Sequence, residues 1–139
     1  MTQLEIARKG NISREMELVA RYEGLEAEFI QEGIKQGTIV IPANVNHTNL
    51  TPRGIGHGLK TKVNANIGTS SAIDDIESEL EKLRIAVEAG ADAVMDLSTG
   101  SDIAGARKAV MAACPLPVGT VPFIRPELRP YPNAALSLR

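Results

Sequence analysis

Apolar and polar positions along this chain change rhythm near residue 38. Before it they follow a helical period. Residues 2–9 fit a short helix, and Ser13 is placed to cap a second over residues 14–22, with Gly24 just past its end. A third helix is expected over residues 26–36, with Phe29, Ile30 and Ile34 on one face and Gly37 as its stop. The β-branched run Thr38-Ile39-Val40-Ile41, closed by Pro42, reads as a strand. Residues 43–60 are rich in Asn, His, Pro and Gly and read as one long loop, a feature that in compact domains often serves function.

From residue 62 the pattern alternates regularly. A strand over 62–67 leads through Gly68-Thr69-Ser70-Ser71 into a helix over 73–89, with Ser71 as the expected N-cap. Ile76, Leu80, Leu83 and Val87 recur at helical spacing. Gly90 ends that helix, and a strand over 93–97 follows. A second helix spans 102–113, with Ile103, Ala106, Val110 and Ala113 facing inward, and Pro115 separates it from a strand over 116–121. Strand–helix–strand repeats of this length give parallel pairing with right-handed crossovers. The expected fold class is therefore α/β: a partial (β/α) barrel of about three parallel strands, apolar on both faces, with a small helical N-terminal segment. The expected divisions are residues 1–60, 61–122 and 123–139. The last carries three of the chain's eight prolines and no period, and reads as an irregular divergent tail.

Composition narrows the function classes. With 139 residues, 43% hydrophobic and 23% charged, the chain can bury a core. A net charge of −2 gives no basic face, which argues against nucleic acid. Its apolar runs are too short to span a bilayer, and the opening Met1-Thr2-Gln3-Leu4-Glu5 does not have the form of a secretory signal. One cysteine, Cys114, allows no internal disulfide, so a cytoplasmic setting is the expectation. His47 and His57, ten apart with no supporting thiol, read as solvated loop histidines rather than metal ligands.

Candidate chemistry gathers at the polar strand ends, where parallel β/α proteins bind ligands. Asn66 could donate and accept toward a sugar or phosphate oxygen, or simply cap its loop. Asn64, on the same side of the strand, either lines the barrel interior or is a satisfied core amide, the latter being the expectation. Met95 is either core or a thioether poised for the face of a flat ring. Asp96 is expected to hydrogen-bond loop amides structurally, and Ser98-Thr99-Gly100 either cradles an anion or caps a helix. Lys62 is expected to be solvated at the opposite mouth, and Cys114 to be packed.

Four strings together carry a family resemblance: Val40-Ile41-Pro42-Ala43-Asn44-Val45-Asn46-His47, Lys62-Val63-Asn64-Ala65-Asn66-Ile67-Gly68, Gly90-Ala91-Asp92-Ala93-Val94-Met95-Asp96-Leu97-Ser98-Thr99-Gly100, and Pro117-Val118-Gly119-Thr120-Val121-Pro122. Residues 1–122 resemble the N-terminal part of the phosphomethylpyrimidine synthase (ThiC) family. The resemblance implies a radical S-adenosylmethionine lyase of thiamine biosynthesis. Its substrate would be 5-aminoimidazole ribotide, its product 4-amino-5-hydroxymethyl-2-methylpyrimidine phosphate, its fold a (β/α)₈ barrel and its assembly a homodimer. It also implies a 4Fe–4S cluster, S-adenosylmethionine and a zinc ion in the full-length protein. Asn66 and Met95 match two substrate-binding positions of the family; at a third, usually tyrosine, this chain has Ile124. The family's metal-binding histidines and its Cys-x-x-Cys-x-x-x-x-Cys are absent from this chain, so catalytic and metal-ligand residues are expected to be none and the chain alone inactive. The tail after Pro122 reads either as out-of-frame sequence or as a genuine short end. The 5-hydroxybenzimidazole synthases, which take the same ribotide, resemble the chain equally, and a non-catalytic half-barrel module is a further alternative.

Overall fold

A computed structural model describes residues 1–121; the expected tail at 123–139 lies outside them. Three helices open the chain: α1 (Gln3–Arg8), α2 (Arg14–Glu23) and α3 (Ala27–Gln36). Thr2 caps α1, and Ser13 caps α2 by accepting from Met16 N at 3.2 Å, as its position predicts. Gly24 and Gly37 close α2 and α3 in the left-handed conformation that a side chain would disfavour. Their apolar faces meet around Met16, Val19, Ile30 and Ile34, together with Ile39 and Ile41. Phe29 departs from the expected inward face and is 45% exposed, while Ile30, Gly33 and Ile34 form the buried side of α3.

β1 (Ile39–Val40) pairs antiparallel with β2 (Ile55–Gly56), so the expected long loop carries a short strand of its own. The β/α series follows: β3 (Asn64–Ile67), α4 (Ile76–Glu88), β4 (Ala93–Asp96), α5 (Ile103–Ala113) and β5 (Val118–Thr120). The three strands are parallel and ordered β3-β4-β5, with Asn66 opposite Met95 and Met95 opposite Gly119.

Both crossover helices cover one face of this sheet. Ala65, Ile67, Val94 and Val118 point into a core with Leu80, Leu83, Val87 and Val110. The other face is open, for Asn64 and Asn66 are exposed and Ala93 and Met95 only half-buried. The strands are therefore not apolar on both faces, as their composition implied. The two asparagines alternate with Ala65 and Ile67, and that polar alternation marks the uncovered side. Ala113, expected inward, is exposed at the end of α5.

α4 begins at Ile76, later than expected. Asp75, not Ser71, is its N-cap, because two carboxylate oxygens reach Glu77 N and Ser78 N, each at 3.2 Å. Among the described residues no helix is long and apolar enough to cross a membrane.

Candidate functional site

The two residues singled out from the sequence meet. Asn66 and Met95 are register partners on adjacent parallel strands, each one residue before its strand's last, and both side chains project from the open face. Neighbouring strands run about 4.8 Å apart, so the amide and the thioether are side by side. Asn64 joins them: its Nδ2 donates to Asn66 Oδ1 at 2.9 Å. It is thus an exposed member of the face, not a core amide. With Asn66 Oδ1 engaged, the Asn66 amide presents its donors to whatever lies on the sheet.

The turn after β3 is fixed by close approach. Gly68 has φ of 153°, and a Cβ there would lie 2.5 Å from Leu97 C and 2.6 Å from Ser98 N. Its N–H donates to Glu79 Oε2 at 2.7 Å, which anchors the strand end to α4.

Asp96 and Ser98 point to the helix side. Asp96 is 1% exposed; its Oδ1 accepts from Ser98 N at 3.0 Å and Ser98 Oγ at 2.6 Å, and its Oδ2 lies 3.5 Å from Arg107 Nε. This is the structural role expected of Asp96. Ser98 Oγ in turn accepts from Thr69 N at 3.2 Å, so its hydroxyl is engaged within the protein and Ser98 does not cap α5. Asp102 is the cap, accepting from Gly105 N at 2.7 Å. The preceding loop is tied down by Asp74, which accepts from Ser101 N at 2.7 Å; its hydrogen bonds with Ser101 hold its carboxyl below the usual range.

Three further expectations change. Lys62 is not solvated: its Nζ lies 2.7 Å from Glu23 Oε1, with 9% of the lysine side chain exposed. His47 is not a solvated loop residue either; it is buried, and its Nε2 is hydrogen-bonded to Cys114 O at 2.7 Å. In both cases a tertiary partner captures a polar group that local sequence would leave in water. Only His57 is exposed, as expected. A cleft of about 500 Å³ between the first helices and the long loop, lined by Gln3, Arg14, Glu15, Asn44 and His47, includes none of the strand residues.

The family's implied metal groups do not fit the residues present. An iron–sulfur cluster needs three or four thiolates. Cys114 is the chain's one cysteine, is fully buried, and burial pushes its thiol pKa up, away from the thiolate a metal needs. Among the described residues no three His, Cys, Asp or Glu side chains gather as a metal would require. The open face bears neutral groups, Asn64, Asn66, Ala93 and Met95, which can bind and orient a ligand but cannot exchange protons with it at neutral pH.

The fold and the face define a parallel β/α segment with one helix-covered face and one open, polar face. The chain belongs to the radical SAM ThiC family, whose model matches residues 2–128 and so runs past the residue 122 at which the sequence resemblance was expected to lapse. It is 63% identical over 123 residues to the phosphomethylpyrimidine synthase of Thermoanaerobacter sp. (strain X514), which covers 88% of this chain and 28% of the relative. It is 54% identical over 130 residues to the phosphomethylpyrimidine synthase of a Thermus thermophilus strain, 93% of this chain and 30% of the relative. A phosphomethylpyrimidine synthase 2 of Methanothermobacter thermautotrophicus is 58% identical over 123 residues, 88% of this chain and 29% of the relative. The chain thus spans under a third of the length of these relatives.

Proposed function

We propose that this chain supplies the first three strands and two crossover helices of the barrel of a phosphomethylpyrimidine synthase, and that its open face is part of the floor on which 5-aminoimidazole ribotide binds. The observation that carries the reading is the side-by-side placement of Asn66 and Met95 near the C-terminal ends of parallel strands, opposite the helix-covered face. In a (β/α)₈ barrel the helix-free face lines the interior and the C-terminal strand ends hold the site. The sequential strand order with both crossovers on one side supports a barrel over a doubly wound sheet, whose helices cover both faces.

On this reading the Asn66 amide donates to an acceptor on the ribotide, and the Met95 thioether packs against the imidazole face, as polarisable sulfur favours. The neutral floor orients the substrate and leaves its phosphate to other parts of the protein. The 4Fe–4S cluster and S-adenosylmethionine would supply the radical chemistry of the rearrangement, and zinc a further binding group, all held by residues outside this segment. The product is the hydroxymethylpyrimidine phosphate of thiamine biosynthesis, made by a cytoplasmic homodimer.

The test is a completed synthase in which residues 1–121 replace the matching segment of the Thermoanaerobacter relative. Anaerobic turnover with S-adenosylmethionine, reductant and 5-aminoimidazole ribotide yields the pyrimidine phosphate if the reading is right. A folded, cluster-loaded chimera that yields no product, or yields 5-hydroxybenzimidazole, overturns it.

A further inference from the structure

We infer that Gly119 is a positioning residue for Met95, leaving the empty place beside the methionine that lets its thioether lie along the floor. The inference rests on the reading of Met95 as a substrate contact. Gly119 is Met95's register partner on β5, so the row Asn66–Met95–Gly119 crosses the sheet from polar amide through sulfur to bare backbone. A Cβ on Gly119 would sit 3.1 Å from both Met95 Sδ and Met95 Cε. That is tighter than ordinary van der Waals contact, about 3.5 to 4 Å between such atoms. The methionine side chain is the flexible partner and must give way by a few tenths of an ångström or turn to another rotamer.

Among the described residues, nothing else about position 119 calls for glycine. Its φ lies outside the left-handed range, so an alanine there strains no backbone. The next atom near an added Cβ is Val94 O, at an ordinary 4.0 Å. The strand β5 and its pairing to β4 are therefore kept when a methyl group is added, and the sulfur is what moves. Since the attraction between a thioether and a ring depends on sulfur height and offset, a small displacement reaches the ligand. The seat this makes suits a thin, flat heteroaromatic ring lying over the Met95–Gly119 step, with a hydrogen-bond acceptor toward Asn66.

The test compares Gly119→Ala, Met95→Ala and the double variant in the completed synthase, reading KM for 5-aminoimidazole ribotide, kcat and melting temperature. Gly119→Ala raises KM roughly three- to tenfold, the range set by loss of a sulfur–ring contact, with kcat and melting little changed. In the Met95→Ala background the same change adds nothing, because the atoms it displaces are gone. An unchanged KM for Gly119→Ala, while Met95→Ala raises it, overturns the inference and leaves the binding role of Met95 standing. An equal rise in both backgrounds also overturns it, since Gly119 would then act on the ligand directly. An unchanged KM for Met95→Ala defeats the binding role itself.

Discussion

The hydroxyl of Tyr22 donates to Asp92 Oδ1 at 2.6 Å, joining α2 to the residue just before β4. The same carboxylate accepts from Arg53 Nε at 3.2 Å and, through Oδ2, from Val63 N at 2.9 Å, while the Arg53 guanidinium stacks 4.0 Å from the Tyr22 ring centre. One buried aspartate thereby fastens the helical segment, the long loop and β3 together at the N-terminal ends of the strands. In β/α barrels that end serves stability, and the opposite end serves chemistry.

Replacing Asp92 with Asn therefore lowers the unfolding free energy of the chain by about 3 kcal/mol, because a buried, multiply bonded carboxylate is lost. Burial alone would push the Asp92 pKa up, but hydrogen bonds from Tyr22, Val63 N and Arg53 outweigh it, and the carboxyl titrates below its ordinary 3.8. As pH falls the unfolded chain takes up this proton first. The stabilisation is thus full above the ordinary carboxylate range and is lost as pH falls through the lowered folded-state value. Urea midpoints across the acid range check this: Asp92→Asn flattens the acid limb, and an unaltered limb refutes it.

The ion pair of Lys62 and Glu23 should behave non-additively. Glu23 Oε2 also accepts from Lys60 N at 2.8 Å, so the buried carboxylate has two duties. Lys62→Met alone strands a buried charge and costs on the order of 3 kcal/mol. Adding Glu23→Gln removes the charge, keeps the acceptor for Lys60 N and recovers most of that loss. Urea unfolding of the two variants decides it; a double variant less stable than Lys62→Met contradicts the account.

Asn64 sets which way Asn66 faces. An aspartate at 64 can only accept, so Asn66 would have to turn its donors onto it and away from a ligand. Asn64→Asp raises KM for the ribotide in the completed synthase by roughly tenfold, more than Asn64→Ala, with no change in melting temperature. Equal effects of the two substitutions would show that Asn64 does not orient its neighbour.

Ser98 separates a structural from a ligand-binding role at the end of β4. Its hydroxyl is spent on Asp96 and Thr69 N. Ser98→Ala costs about 1 to 2 kcal/mol in stability and leaves ribotide affinity unchanged. Lost affinity with unchanged stability would restore the anion-cradle alternative.

Much of this architecture could be read locally. Ser13 and Gly24 bracket α2 because capping depends on neighbours a few residues away. Leu83, Val94 and Val110 fall in the core because helical and strand periods put them on faces. The failures involve distant partners. The acceptor of His47 lies 67 residues on, and Lys62 meets a carboxylate on α2. Ser71 lost the start of α4 to Asp75, a choice between two good caps that propensity alone does not settle. At the site, the alternation of Asn64 and Asn66 was visible, and the family strings named Asn66 and Met95. Their adjacency was not, because strand register is fixed by the packing of α4 and not by any spacing in the chain.

The most direct test of the binding face is a ¹³C-methyl methionine spectrum of the completed synthase, titrated with 5-aminoimidazole ribotide. The Met95 signal is the one that Met95→Leu removes. An imidazole stacked on the thioether shifts it upfield by its ring current, with saturation at the ribotide affinity, and Asn66→Ala weakens that titration. A Met95 methyl that stays in place while the ribotide binds would contradict the account.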